Sequence, residues 1–171
     1  MIWKRTFLLV LLTITGLALE TSVLGTNTLL GSKPELLLLM VVALAMAEGA
    51  MFGTVAGFVM GLATDLVMGL PQGLTALTYT VAGYVVGRLR STFQTPVAWL
   101  PMAMVGITTF GALLFYGLFA LVLGESGLPP LRILRHSALA AAYNGLLTPF
   151  LFPLVRGLAS RLRPPAAGVI R

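Results

Sequence analysis

The sequence predicts an all-α, polytopic membrane protein built as a six-helix bundle. Of its 171 residues, 58% are hydrophobic and only 9% are charged, whereas soluble domains carry about 25% charged residues. So few charged side chains cannot cover a surface that faces water. Long apolar runs recur along the chain, and about 20 apolar residues cross the hydrocarbon core of a bilayer. The whole chain, 1–171, is therefore expected to form a single transmembrane domain.

Six apolar segments are candidate spans, separated by basic, polar or glycine- and proline-rich stretches. They run over about 6–24, 34–47, 50–70, 74–89, 97–123 and 133–155. The second and fourth are short for a bilayer, so tilt, local thinning or burial inside the bundle must accommodate them. The first follows Lys4 and Arg5 as a signal peptide would, but no small-residue cleavage site comes after it. We expect it to remain as a span.

The lysine and arginine residues predict the orientation. With a cytoplasmic N-terminus, six spans place eight of them on the cytoplasmic side and three on the other. The eight are Lys4, Arg5, Arg88, Arg90, Arg156, Arg161, Arg163 and Arg171, and the three are Lys33, Arg132 and Arg135. Because basic residues accumulate in cytoplasmic loops, both termini are expected in the cytoplasm. The net charge of +6 then indicates contact with anionic membrane lipid, and nucleic acid is not an expected partner.

Side chains suited to catalysis or metal binding are few. The chain has no cysteine and one histidine, His136, and a single imidazole makes no metal site without further ligands. No serine or threonine has an obvious general base with its own orienting group. The sequence therefore predicts neither an enzyme nor a bound cofactor.

A series of glycines marks the third span, in "EGAMFGTVAGFVMGLATDLVMGLPQG" (48–73). Gly49, Gly53, Gly57 and Gly61 follow one another in steps of four. Small residues at this spacing let two helix backbones approach closely, which drives helix association in lipid. Each step of four advances the face by about 40°, so the stripe winds around the helix. It predicts a helix-packing interface, filled either by another helix of this chain or by a helix of a partner protein.

Asp65 continues the glycine series near the outer end of the third span. A carboxylate at the bilayer midplane costs about 2.5–3.5 kcal/mol on insertion scales, so Asp65 should face protein or water. One interpretation is a buried polar contact or small-ligand site. The other is a helix-end aspartate that reaches the headgroups or caps the turn "GLPQG".

Three further polar residues are candidates for buried contacts or a pocket. Glu20 lies deep enough in the first span to require a donor, which Thr21, Asn27 or Lys33 could supply. Tyr143 and Asn144 place polar groups in the sixth span. Either helix packing or a pocket would use them.

The segment 33–90 resembles the core of the rod shape-determining MreD family. That family's pattern has a proline and an acidic residue before an apolar run, then a glycine-spaced helix that ends in Gly-Leu-x-x-Asp-Leu. A short glycine-containing turn, "MGLPQG" here, leads to a helix that ends in "GYVVGRL". The matching residues are Pro34, Glu35, Gly57, Gly61, Leu62, Asp65, Leu66, Gly69, Gly73, Gly83 and Gly87. Family members often have aspartate where this chain has Glu35.

The resemblance implies a non-enzymatic component of the bacterial cell-elongation machinery in the cytoplasmic (inner) membrane. It implies binding to the bitopic protein MreC, and through it an indirect link to MreB, RodA and a class B penicillin-binding protein. Chains of this family also resemble, in span number and size, the substrate-binding S-components of energy-coupling-factor vitamin transporters. That six-helix fold is expected here, and vitamin binding is the alternative function. Outer loops that are poor in aromatic residues favour the scaffold.

Overall fold

The computed structural model describes residues 2–22, 32–69, 73–90, 99–124 and 129–160. Six helices follow one another in this part of the chain, which contains no strand. They are α1 (Ile2–Ser22), α2 (Leu36–Glu48), α3 (Ala50–Met68), α4 (Leu74–Leu89), α5 (Leu100–Val122) and α6 (Pro130–Ser160). The all-α class is therefore confirmed. The ends of the expected spans at 23–24, 70 and 97–98 lie outside the described residues, and the S-component fold stays a prediction.

Helix α2 forms the centre of the bundle. Residues 36–45, an unbroken apolar run, are buried on every side of the helix, as expected for a helix that is hydrophobic all round. It contacts each of the other five helices. Protein rather than lipid thus surrounds a helix of only 13 residues. Burial inside the bundle is how this short apolar segment is accommodated.

Helices α3 and α4 pack as a closely spaced antiparallel pair. The glycines of α3 lie directly against the backbone of α4, because a Cβ added at any of them would meet main-chain atoms of α4 at less than 3.0 Å. The facing pairs are Gly53 with Gly83, Gly57 with Tyr79, and Gly61 with Ala76. This ridge, which we call the glycine ridge (Gly53, Gly57 and Gly61), is therefore occupied within the chain.

Gly49 has a different role from the other three glycines of the series. It lies between α2 and α3 with φ of 97°, a conformation that side chains other than glycine rarely adopt. This single residue connects two helices, and its own backbone N–H still bonds to the Ala45 carbonyl at 2.9 Å. Gly49 thus forms the turn between α2 and α3, and its backbone also lies close to α4, because a Cβ added at Gly87 would come within 2.7 Å of the Gly49 carbonyl carbon.

Helices α5 and α6 form the second antiparallel pair, and α1 packs on the outside against α2 and α3. Among the described residues, three helices are long and apolar enough to cross a membrane, namely α3, α5 and α6. The apolar stretches at 6–22 and 36–48 are shorter. These three helices support a membrane protein. The six-span topology stays a prediction. Arg161, Arg163 and Arg171 of the charge count lie outside the described residues.

Candidate functional site at one end of the bundle

Polar side chains gather at the end of the bundle where α2, α4 and α6 begin and α1, α3 and α5 end. Asn144 of α6 is fully buried there. Its Oδ1 accepts from the backbone N–H of Glu35 at 3.0 Å, and its Nδ2 donates to the Glu35 carbonyl at 3.0 Å. Nδ2 also donates to the Thr109 hydroxyl of α5 at 3.1 Å. One amide thus ties the residue before α2 to both α5 and α6.

Two carboxylates flank the start of α2. The Tyr79 hydroxyl of α4 donates to Glu35 Oε2 at 3.0 Å. Glu20 of α1 is 1% exposed, and its Oε1 lies 3.6 Å from Lys33 Nζ. The Glu20 carboxyl group also interacts with the Leu37 backbone N–H in the first turn of α2 and with the Glu35 side chain. Lys33 is therefore the charge that compensates Glu20, because a buried carboxylate needs an opposite charge nearby.

Asp65 is buried at the end of α3 and holds the start of α4. Its Oδ2 accepts from the backbone N–H groups of Gly73 at 3.0 Å and Ala76 at 3.1 Å, and its Oδ1 accepts from Thr75 N–H at 3.3 Å. The first N–H groups of a helix have no partner inside the helix. Gly73, the residue before α4, has no side chain that could cap them. Asp65 supplies that cap from the preceding helix.

A cavity of about 380 Å³ opens at this same end of the bundle. This volume lies within the range of small-molecule sites. Helices α3, α4, α5 and α6 contribute to its wall, together with Lys33 and Glu35, which precede α2. Polar residues in its wall are Lys33, Glu35, Thr64, Thr75, Thr78, Tyr79, Tyr116, Arg132 and His136, and apolar residues include Met68, Leu113, Ala120 and Ile133.

His136 and Arg132 lie one turn apart on the same face of α6. His136 Nδ1 is 3.0 Å from the Ser32 hydroxyl, which also donates to the His136 carbonyl at 3.3 Å. With Nδ1 held by Ser32, Nε2 is the ring nitrogen that remains for a ligand. Within the described residues, no carboxylate lies at ion-pair distance from Arg132.

The structure brings several sequence-predicted residues to this end and leaves others elsewhere. Glu20, Asp65 and Asn144 lie here, whereas the glycine ridge extends along α3. Tyr143 is half-buried and does not line the cavity. Tyr79, the partner of Glu35, was not predicted from the sequence. A tyrosine in an apolar helix does not indicate a polar site by itself, because its hydroxyl partner becomes known only from the tertiary structure.

The chain matches a known protein family over most of its length. The family model described as rod shape-determining protein MreD matches residues 2–158, nearly the whole chain and well beyond the segment that carried the resemblance. The chain belongs to the MreD family. Membership implies a membrane-associated role in determining rod shape. No curated protein and no solved structure shows a significant match to the chain.

In this MreD-family chain, the motif residues at the α3–α4 connection form one hydrogen-bonded unit. Asp65 binds the N–H of Gly73, and Gly69 ends α3 with φ of 64°. Gly73 begins α4 with φ of 98°. The two glycines permit a left-handed backbone at both ends of a short turn. The spacing between Asp65 and Gly73 in the motif thus lets the last turn of α3 cap the start of α4.

Proposed function

We propose that this chain is a non-enzymatic scaffold of the bacterial cell-elongation complex in the cytoplasmic membrane. In this role it binds an MreC-like bitopic protein through transmembrane helices and thereby supports peptidoglycan synthesis and cell shape. RodA, a class B penicillin-binding protein and MreB are then indirect partners. The family match over residues 2–158 carries the proposal. The buried position of Asp65, away from the cavity wall, agrees with a structural rather than a ligand-binding role for that carboxylate.

The occupied glycine ridge restricts where a partner helix can bind. Gly53, Gly57 and Gly61 have no space for another helix, because α4 already lies against them. An MreC-like transmembrane helix would therefore contact another face of the bundle.

Co-purification tests the scaffold role. The tagged chain, co-expressed with an MreC-like protein, is expected to retain it through detergent solubilisation and size-exclusion chromatography. An unrelated bitopic protein of the same length serves as the control and should be lost. In a rod-shaped host depleted of its own MreD-family protein, the chain should restore cell width. A chain that restores neither binding nor width would contradict the proposal.

The cavity favours vitamin binding by an S-component-like module as a second candidate function. Its position at one end of the bundle and its tyrosines, Tyr79 and Tyr116, match what such a module needs. Mass spectrometry of the purified protein would distinguish the two functions. A vitamin present at one per chain would support this candidate, whereas a vitamin-free protein that binds an MreC-like partner would exclude it.

Labelling of single cysteines can establish the topology, since the chain has no native cysteine. Arg135 and Arg156 are exposed at opposite ends of α6. If both termini are cytoplasmic, Arg135→Cys should react with a membrane-impermeant maleimide in intact spheroplasts. Arg156→Cys should react only after permeabilisation. The reverse pattern would overturn the predicted orientation.

A further inference from the structure

Basic residues are rare on the predicted outer side of the chain, yet the cavity wall on that side contains two of them. In the predicted topology only Lys33, Arg132 and Arg135 lie on the outer side, and two of these three line the cavity. Lys33 is already compensated by Glu20 at 3.6 Å. Arg132 has no such carboxylate among the described residues. Arg132 therefore adds a positive charge to a wall whose one carboxylate among the described residues, Glu35, already accepts from the Tyr79 hydroxyl.

A second feature of the wall is a hydroxyl without a partner. Thr75 is 5% exposed and lines the cavity, yet its Oγ1 makes no hydrogen bond within the described residues. Most threonines of this bundle donate to the carbonyl four residues earlier, as Thr78 does to Leu74 at 2.8 Å. Thr75 begins a helix and has no such carbonyl in its own helix. Buried polar groups are normally paired, so an unpaired one next to a cavity indicates an external acceptor.

One part of the wall is apolar. Leu113 and Ala120 of α5 and Ile133 of α6 form it, with Met68 from the end of α3. Alkyl groups packed against these side chains leave water favourably, at about 25 cal/mol per Å². The cavity thus combines donors and positive charge with a surface suited to hydrocarbon.

We propose that the cavity binds the headgroup end of an amphiphile with an anionic, phosphate-type head. Arg132 would hold the phosphate oxygens, since guanidinium matches phosphate geometry through paired N–H donors. The Thr75 hydroxyl would donate a further hydrogen bond. The carbon portion would lie against Leu113 and Ile133. The same head chemistry exists in a membrane phospholipid and in a soluble organic phosphate. The proposal does not depend on the scaffold role.

The test uses the full chain purified in an uncharged maltoside detergent. Binding of dioctanoyl phosphatidic acid, glycerol 1-phosphate and uncharged dioctanoylglycerol is measured by calorimetry. The phosphate lipid is expected to bind, and the uncharged lipid to bind at least about tenfold more weakly, as for loss of a charge-assisted contact. Glycerol 1-phosphate that binds as tightly as the lipid would identify a soluble source. Equal binding of charged and uncharged lipid would overturn the proposal, as would a stoichiometric uncharged ligand.

Three variants locate the site. Arg132→Gln should weaken phosphate-lipid binding by about tenfold or more, whereas Arg135→Gln, on the same helix but outside the cavity wall, should leave it unchanged. Equal losses for both would mean only general surface charge and would overturn the proposal.

Thr75→Val separates binding from folding. Valine keeps the shape and removes a hydroxyl that has no partner among the described residues, so thermal stability should stay equal or rise. Lipid affinity should fall by a few-fold to about tenfold. Unchanged affinity would exclude the hydroxyl from the site, and lowered stability would show that it already has a partner within the protein.

Discussion

Gly57→Ala is expected to destabilise the protein, although alanine is the better helix former. In an ordinary helix the change gains about 1 kcal/mol. Here a Cβ on Gly57 would meet the Tyr79 carbonyl and lie 2.8 Å from the Thr80 nitrogen of α4. Backbone atoms cannot turn aside as a side chain can, so α3 and α4 must separate. Overpacking of this kind costs about 1–3 kcal/mol. We expect Gly57→Leu to yield aggregated protein, and thermal unfolding of detergent-purified chains measures both effects.

Gly111 in α5 provides the matched control. It is exposed, and a Cβ added there would meet nothing within 4 Å. Gly111→Ala should therefore leave the unfolding temperature unchanged or raise it through helix propensity. If both alanine variants behaved alike, the close approach of α3 and α4 at Gly57 would not determine stability.

The glycine ridge shows how far a sequence can predict packing in a membrane. Steps of four predicted a close helix approach along α3, because only small residues allow it. The pattern carried no information about which helix approaches, and both interpretations stayed open. The structure places α4 there, a helix separated from α3 by a short turn. Gly49 shares the spacing and lies against Gly87 of α4, but it also forms a turn, which the spacing did not indicate.

The candidate site was predictable only in part. Glu20 and Asn144 stood out because buried polar groups in apolar helices must find partners. Their partners lie far away in the chain: Asn144 bonds to Glu35 across 109 residues, and Ser32 meets His136 across 104. Such pairs arise from the arrangement of five helices around α2, which a single sequence does not specify. The cavity depends on that arrangement entirely.

The sequence allowed two interpretations of Asp65, a buried polar contact or a helix-end cap, and its hydrogen bonds have features of both. It is a buried polar contact, and it caps the helix that follows "GLPQG". A carboxylate at a helix N-terminus also interacts favourably with the macrodipole, by about 0.3–1 kcal/mol at exposed sites and more when buried. Because backbone groups in a bilayer have no water to bond to, removal of this cap should be costly.

Asp65→Leu is expected to lower stability far more than Asp65→Asn. Leucine leaves the N–H groups of Gly73, Thr75 and Ala76 without an acceptor, at about 1–3 kcal/mol for each buried donor. Asparagine keeps one oxygen, which at the Oδ2 position still accepts from Gly73 and Ala76. It loses the weaker bond to Thr75 and the charge, for a cost of about 1 kcal/mol. Thermal unfolding in detergent gives the order, and hydrogen exchange should show faster exchange at the start of α4 in Asp65→Leu. Equal stability of the two variants, with unchanged exchange at Thr75 and Ala76, would show that the cap does not hold this helix.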